Sequence, residues 1–183
     1  MPVRTALLNL VVAALLGLLP VAAAAQPSAD ELLDRLAQPD LRNWDVIEQQ
    51  IYQAWSRSGS DSADYLLRRG RAAMDADDLS AAYDHFTALT DHAPDFAEGW
   101  NARATLLFQI GSYGAAIADI QRVLALEPRH FAALTGLGIM LEEMAEWESA
   151  LAAYREAQAI HPHRADINEA IDRIEQQLEG RTL

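Results

Sequence analysis

Three prolines, Pro94, Pro128 and Pro162, are evenly spaced along the chain, and this spacing constrains the fold more than any other feature. Stepping by the same interval from Ala63 aligns three ungapped units, 63–96, 97–130 and 131–164. The offset puts Gly70, Ala104 and Gly138 in register, and likewise Ala82, Ala116 and Ala150. It also aligns Leu66 with Trp100 and Leu134, Leu79 with Tyr113 and Trp147, and Phe86 with Ile120 and Tyr154. A fixed period of this length marks a stack of like units. Each unit holds two stretches with apolar side chains three and four apart, the spacing of amphipathic helices. They are 63–76 with 79–92, 97–110 with 113–126, and 131–144 with 147–160, joined by tight turns such as Asp77-Asp78 and Gly111-Ser112. Each proline follows a second helix and stops its continuation. The small residues let two helix backbones approach, and the bulky ones fill the space around that contact. One such hairpin cannot bury its apolar face alone; stacked hairpins can.

These positions resemble the tetratricopeptide repeat. That family's unit has the same period, roughly 34 residues. It forms two antiparallel helices, with a large residue at position four, small ones at eight and twenty, an aromatic at twenty-four and proline at thirty-two. The middle unit matches best, from Ala97-Glu98-Gly99-Trp100-Asn101 to Leu126-Glu127-Pro128, and the three units together span residues 63–164. The resemblance implies an all-α, right-handed α-α superhelix that binds proteins or peptides. At position seven, usually leucine, stand Arg69, Arg103 and Leu137; the two arginines must snorkel or pair with acids.

Residues 165–183 supply a capping helix and tail. Ile167, Ile171, Ile174 and Leu178 form one apolar stripe, backed by Asp166, Glu169, Asp172, Glu175 and Glu179, with Gly180 as the stop. Residues 26–62 read as a degenerate helical hairpin and linker. Helices are expected at 30–37 and 43–56, with Pro39 between them, and Ser56–Ser62 as a flexible joint. Trp44 and Trp55 are expected to pack against the first full repeat; the sharper reading makes them an exposed pair that anchors a partner.

Residues 1–25 read as a secretory signal peptide. Arg4 is the only charge before Asp30, the run Ala6–Leu19 is apolar except for Asn9, and Pro20 and Ala23-Ala24-Ala25 precede Gln26. The alternative is a membrane anchor, since residues 6–25 as a helix span about 30 Å. Alanine richness and the absence of lysine point to a bacterial periplasm as the destination.

There is no cysteine, which excludes disulfides, thiolate metal sites, iron–sulfur clusters and cysteine nucleophiles. All 14 basic residues are arginine, so lysine chemistry is excluded too. A net charge of −13 disfavours nucleic acid and anionic membrane surfaces as partners. Gly136-Leu137-Gly138 lies inside a predicted helix with no strand before it and is not a dinucleotide loop. His130, His161 and His163 fall at repeat junctions, where they read as solvated residues; no carboxylate is spaced to complete a metal site with them. No catalytic constellation is present, so no cofactor is expected, and an enzyme or metal carrier is the remote alternative.

In the resembled family the first helices of successive repeats line a concave groove, with ligand-facing positions at two, five, six, nine, twelve and thirteen. Transferred here, the candidate groove residues are Arg68 and Arg71 in the first unit, Asn101, Thr105 and Phe108 in the second, and Thr135, Ile139, Glu142 and Glu143 in the third. Asp64, Leu67, Met74, Asp75, Glu98, Ala102, Gln109, Ala132 and Gly136 fall on the same strip. It grades from cationic at Arg68 and Arg71 to acidic at Glu142-Glu143; the competing reading pairs the arginines with Asp64 and Asp75 one turn away. The carboxylate clamp of some family members is disfavoured, because its positions carry Leu67, Arg71, Ala102, Ala132 and Gly136, of which Arg71 alone is compatible. The function expected is a non-enzymatic protein- or peptide-binding adaptor or scaffold in the bacterial envelope. The alternative is an accessory factor handling client proteins in cytochrome maturation or outer-membrane biogenesis.

Overall fold

A computed structural model of the chain describes residues 27–181. The expected signal peptide and its cleavage site lie outside the described residues. Among the described residues there are nine helices and no strand: α1 (Ala29–Leu36), α2 (Trp44–Trp55), α3 (Asp61–Asp75), α4 (Leu79–His92), α5 (Ala97–Gln109), α6 (Tyr113–Leu126), α7 (Phe131–Glu143), α8 (Trp147–Ile160) and α9 (Ala165–Arg181). No helix among them is long and apolar enough to cross a membrane.

Helices α3 to α8 form three consecutive antiparallel hairpins, and α9 packs on α8. The repeat reaches into backbone conformation. Asp77, Gly111 and Ala145 stand at the same place in the three units, and all three adopt positive φ, at 58°, 76° and 60°. In each turn the following amide reaches back to a carbonyl five residues earlier: Asp78 to Ala73, Ser112 to Leu107 and Glu146 to Leu141, at 2.8–2.9 Å. This Schellman closure satisfies carbonyls that the end of a first helix leaves unpaired. It forms on aspartate and alanine as well as on glycine, because the stacked helices hold the turn. Helix α3 starts ahead of the expected Ala63, because the Ser60 hydroxyl caps it by accepting from the Ala63 amide. Helix α9 runs through Gly180 to Arg181 rather than stopping at the glycine.

The core follows the repeat. Ala63, Leu67, Ala82, Phe86 and Leu89 pack with Ala102 and Leu106 of the next hairpin. Ala104, Leu107, Ala116, Ile120 and Val123 pack with Ala133 and Met140. Leu134, Ala150, Leu151, Tyr154 and Ala157 are closed by Ile167, Ala170, Ile171 and Ile174 of α9. Gly70 and Gly138 are small because an aromatic ring lies against them: a Cβ on Gly138 would sit 2.8 Å from the Tyr154 ring. Arg103 pairs as required, its Nε and Nη2 donating to Asp119 at 2.7 and 2.8 Å and its Nη1 to Thr90 at 2.9 Å, with the guanidinium over Trp100. Arg69 is exposed.

The N-terminal hairpin does not pack as expected. Helices α1 and α2 share a core of Leu32, Leu33, Leu36, Ile47, Ile51 and Trp55, and this core closes on Phe131, with Ala132 and Ile160 beside it. Trp55 stacks on His130, centroids 4.0 Å apart, and Trp44 lies against His161 and His163. Both tryptophans therefore meet the junctions flanking the third repeat, not the first repeat. Junction residues at the start of α7 and before α9 are aromatic or imidazole, which gives flat side chains something to stack on; burying a side chain such as Phe131 there contributes about 1.5–3 kcal/mol. The joint is also more ordered than its composition implies. Ser58 donates through its amide and its hydroxyl to Asp64 Oδ1, at 2.8 and 2.6 Å, and Gly59 turns the chain with φ 80°.

Candidate peptide-binding groove

Helices α3, α5 and α7 are the first helices of the three hairpins and carry the candidate groove residues. One part of the strip they form, its lower part, faces the hairpin. There Tyr52, Gln53, Ser56 and Arg57 line an open cleft of about 480 Å³ together with Asp64, Leu67, Arg68 and Arg71. Tyr52 also packs edge-on against Phe131, centroids 5.6 Å apart. Burial, with the charge of Glu48 adding to it, pushes the Tyr52 phenol up to about 12, so it stays protonated. The rest of the strip, its upper part, carries Thr105 and Phe108 of α5 and Thr135, Ile139, Glu142 and Glu143 of α7.

At the boundary sits Glu98, whose side chain is 6% exposed and whose carboxylate receives three donors. Arg71 donates to Oε1, while Asn101 Nδ2 and His130 Nε2 meet Oε2 at 3.1 and 3.2 Å. The His130 Nδ1 accepts from the Ala133 amide at 3.1 Å, capping α7. That bond leaves the ring proton on Nε2, aimed at Glu98. Arg71 also donates to Ser56 at 3.1 Å, and Trp55 covers the His130 ring. The hairpin, the Glu98 carboxylate and two candidate groove residues thus form one connected polar network, in which a buried charge is held by multiple partners.

A sequence profile for the tetratricopeptide repeat matches residues 67–126 and 101–165. A TPR repeat-containing protein of Rhizobium etli is 32% identical over 161 residues, covering 85% of this chain and 79% of its own. The chain belongs to the tetratricopeptide repeat family. Among solved structures, the first TPR domain of Spaghetti (RPAP3) bound to an HSP90 peptide is similar in fold. It has a TM-score of 0.63 at 21% identity, covering 66% of this chain and 95% of that domain. The Sgt2 TPR domain of Aspergillus fumigatus is similar at a TM-score of 0.63 and 22% identity, covering 67% of this chain and 83% of its own.

The candidate groove residues of this tetratricopeptide protein fall into three groups. Asn101, Thr105, Phe108, Thr135 and Ile139 lie on neighbouring first helices. Thr105 and Ile139 are exposed, and the others are half-buried. The Thr105 and Thr135 hydroxyls donate to the Asn101 and Phe131 carbonyls at 3.0 and 2.8 Å, so their oxygens face outward as acceptors. Phe108 is stacked on Tyr113. Arg71, Glu142 and Glu143, like the Asn101 amide group, are engaged within the chain. Glu142 accepts two bonds from Arg173 at 2.9 Å and one from Tyr154 at 3.1 Å, and the Arg173 guanidinium holds its carboxyl below the usual range. Glu143 accepts from the Tyr113 hydroxyl. Arg68 is exposed and makes no hydrogen bond or ion pair among the described residues, although its charge reaches Asp64. The pairing of Arg71 with an acid one turn away does not occur; its partner is Glu98 of the next repeat.

Three residues on the strip are buried. Leu67 and Ala102 belong to the core, and Glu98 is buried in its network. The junction histidines differ from expectation as well: His130 and His161 are fully buried under the hairpin, and solvent does not reach them. His161 lies 3.3 Å from Glu48, outside hydrogen-bond geometry; burial pulls its pKa below the usual value, with Arg164 and His163 adding to that and Glu48 opposing it. Among the described residues no group of three or more His, Cys, Asp or Glu is arranged to hold a metal ion. Sequence reasoning does not single out Glu98 as a hub or His130 as a cap. The available signal is that His130 directly precedes Phe131 at a helix start, where a side-chain acceptor is favoured.

Proposed function

We propose that this chain is an exported, non-enzymatic adaptor that holds a segment of a partner protein across the upper half of its concave face. Tetratricopeptide repeats are protein-interaction modules, and the neighbour bound to an HSP90 peptide is such a fold with its ligand in place. The observation that carries the reading is the strip of Asn101, Thr105, Thr135, Phe108 and Ile139 on adjacent helices. Its oxygens are acceptors suited to the amide groups of an extended segment, and its apolar groups take side chains between them. Charge contributes less than the residue types imply, because Arg71 and Glu142 are neutralised in place. Arg68 and Glu143 remain to orient a partner, and exposed charges of this kind act on encounter more than on affinity. The pattern of residues 1–25 supports a bacterial envelope as the setting, with mature protein beginning at Gln26 or within two residues of it.

Crosslinking in the native envelope followed by mass spectrometry tests the reading. A partner captured by the wild-type chain should be lost from Asn101→Ala and Ile139→Asp variants whose helical content is unchanged. Equal capture by both variants would remove the upper groove as the working surface. Intact Met1 in a membrane fraction would replace the cleaved form with an anchored one.

A further inference from the structure

The N-terminal hairpin covers part of the face that a tetratricopeptide array uses for binding, and the way it is held differs from the way the array holds itself. Its apolar core is largely its own, closing on the array through Phe131, Ala132 and Ile160. Its rim contacts include exposed ion pairs. Arg129 reaches Asp34 at 2.8 Å and Asp30 at 3.8 Å, and the side chains of those acids are 74% and 78% exposed. Such pairs hold little.

Beneath the hairpin, burial is incompletely compensated. Among the described residues four buried side-chain atoms lack a hydrogen-bond partner, and three of them are here: Trp55 Nε1, His161 Nδ1 and His161 Nε2. A buried polar group left unpaired opposes the contact that buries it. The hinge hydrogen bonds run from Ser58 to Ser60 and Asp64, within the joint and α3, so they survive if the hairpin moves. With Ser58 tied in this way, residues 56 and 57 form the pivot, about 7 Å of chain at full extension, about which the hairpin swings off the face while α3 stays folded.

We propose that the surface formed by His130, Phe131, Ala132 and His161 is a recognition site for an amphipathic helix, that α2 is its resident occupant, and that a partner helix displaces it. The chemistry of α2 describes the partner. Such a helix presents flat aromatic groups at the position of Trp44, edge-on to His161, and at the position of Trp55, stacked on His130, with β-branched or aromatic groups between them over Phe131. A competitor improves on α2 by bringing a carboxylate or amide in line with the unpaired nitrogens of His161, which Glu48 approaches off-line. Displacement also removes Ser56 from Arg71 and uncovers His130, so it alters the Glu98 network bordering the upper groove. The site is separate from that groove, and the proposal stands whether or not the groove takes a peptide.

A labelled peptide of residues 28–57, carrying the hairpin sequence, is the probe. It is titrated against the full wild-type chain, the Trp55→Ala chain, and a chain with Asp34→Cys and Arg129→Cys joined by a short bis-maleimide. The absence of native cysteine makes that crosslink specific. A closed resident hairpin reduces apparent affinity by the fraction of open molecules, so Trp55→Ala should bind about tenfold or more tightly than wild type. The crosslinked chain should not bind. Failure of a folded Trp55→Ala chain to bind, or equal binding by all three proteins, overturns the proposal. Amide exchange on the wild-type chain tests it without substitution: α1 and α2 should open together, ahead of α5 to α8. Exchange of α1 and α2 only through global unfolding overturns it.

Discussion

Two tryptophans in this molecule have opposite fates. Trp100, inside the repeat array, donates its indole N–H to the Pro94 carbonyl at 2.9 Å and carries the Arg103 guanidinium on its ring. Trp55, in the N-terminal hairpin, is as aromatic and more deeply buried, yet its indole N–H has no partner. Two of the ion pairs show the same contrast, although Glu48 of the hairpin also meets Arg164 at 3.0 Å with both side chains partly buried. Arg103 and Asp119 form a fork with side-chain exposures of 16% and 8%, whereas Arg129 meets acids that stand in solvent. The array is a set of contacts in which each repeat satisfies its neighbour. The hairpin lies across the repeat junctions around His130, Phe131 and His161, where the buried Trp55 and His161 nitrogens are left without hydrogen bonds.

The contrast can be broken most severely at Asp119. An Asp119→Ala chain leaves Arg103 largely desolvated without its carboxylate, and removing one partner of such a pair costs about 3–5 kcal/mol. Chemical denaturation should show the whole transition moving to lower denaturant, because the second repeat loses the pair that ties its two helices together. Gly138→Leu comes next. Its Cβ would lie 2.8 Å from the Tyr154 ring, and overpacking of this kind costs about 1–3 kcal/mol or more. Ala116→Leu, at a fully buried small position, belongs to the same class. A thermal melt unchanged by either substitution would contradict the helix–helix register. Arg71→Glu also belongs to the destabilising changes, since it sets a second carboxylate beside the buried Glu98; it is not the neutral groove probe that its place on the strip implies.

The third test is acidification, which should separate the two regions. His161 has its folded pKa lowered, chiefly by burial, from an ordinary value of about 6.5. The unfolded or undocked state therefore binds the proton more readily, and the stabilisation present above about pH 6.5 declines as pH falls toward the folded pKa. The groups facing the ring are Glu48 from α2 and Arg164 and His163 from the following turn, with Trp44 and Phe131 against its faces. Tryptophan fluorescence between pH 7 and 5 should report loosening of the hairpin while far-UV circular dichroism of the array holds. A His161→Phe chain should lose that dependence. The smallest effect belongs to Asp34→Ala. It removes an exposed pair worth less than about 1 kcal/mol, so the global melt should hardly move, and amide exchange in α1 should rise slightly.

How far these properties are legible in the sequence depends on whether they repeat. The prolines, the small positions and the bulky stripes recur at one fixed interval, so each is legible three times over, and the helices of the array follow that reading closely. Arg103 breaks the apolar pattern, and the requirement that it pair with an acid is legible, though the identity of Asp119 is not. Groove residues transferred from family positions are less secure. Whether a position faces a ligand depends on what else reaches it, and here Arg173, Tyr113 and Glu98 reach Glu142, Glu143 and Arg71 first.

By itself the sequence determined that this chain forms stacked helical hairpins, because one hairpin buries its apolar stripe only against another and the stripe returns at a constant interval. It also determined the polar-backed closing helix, whose isoleucines meet the last open face. The tertiary structure alone decided where the N-terminal hairpin goes. Trp44, Ile47, Ile51 and Trp55 specify an apolar face but no address, and several surfaces on the array could in principle cover it. The choice falls on His130, Phe131 and His161, residues far along the chain that only superhelical stacking brings onto one surface. Local spacing encodes which side of a helix is buried; the partner that buries it is set by long-range packing, which no single segment contains.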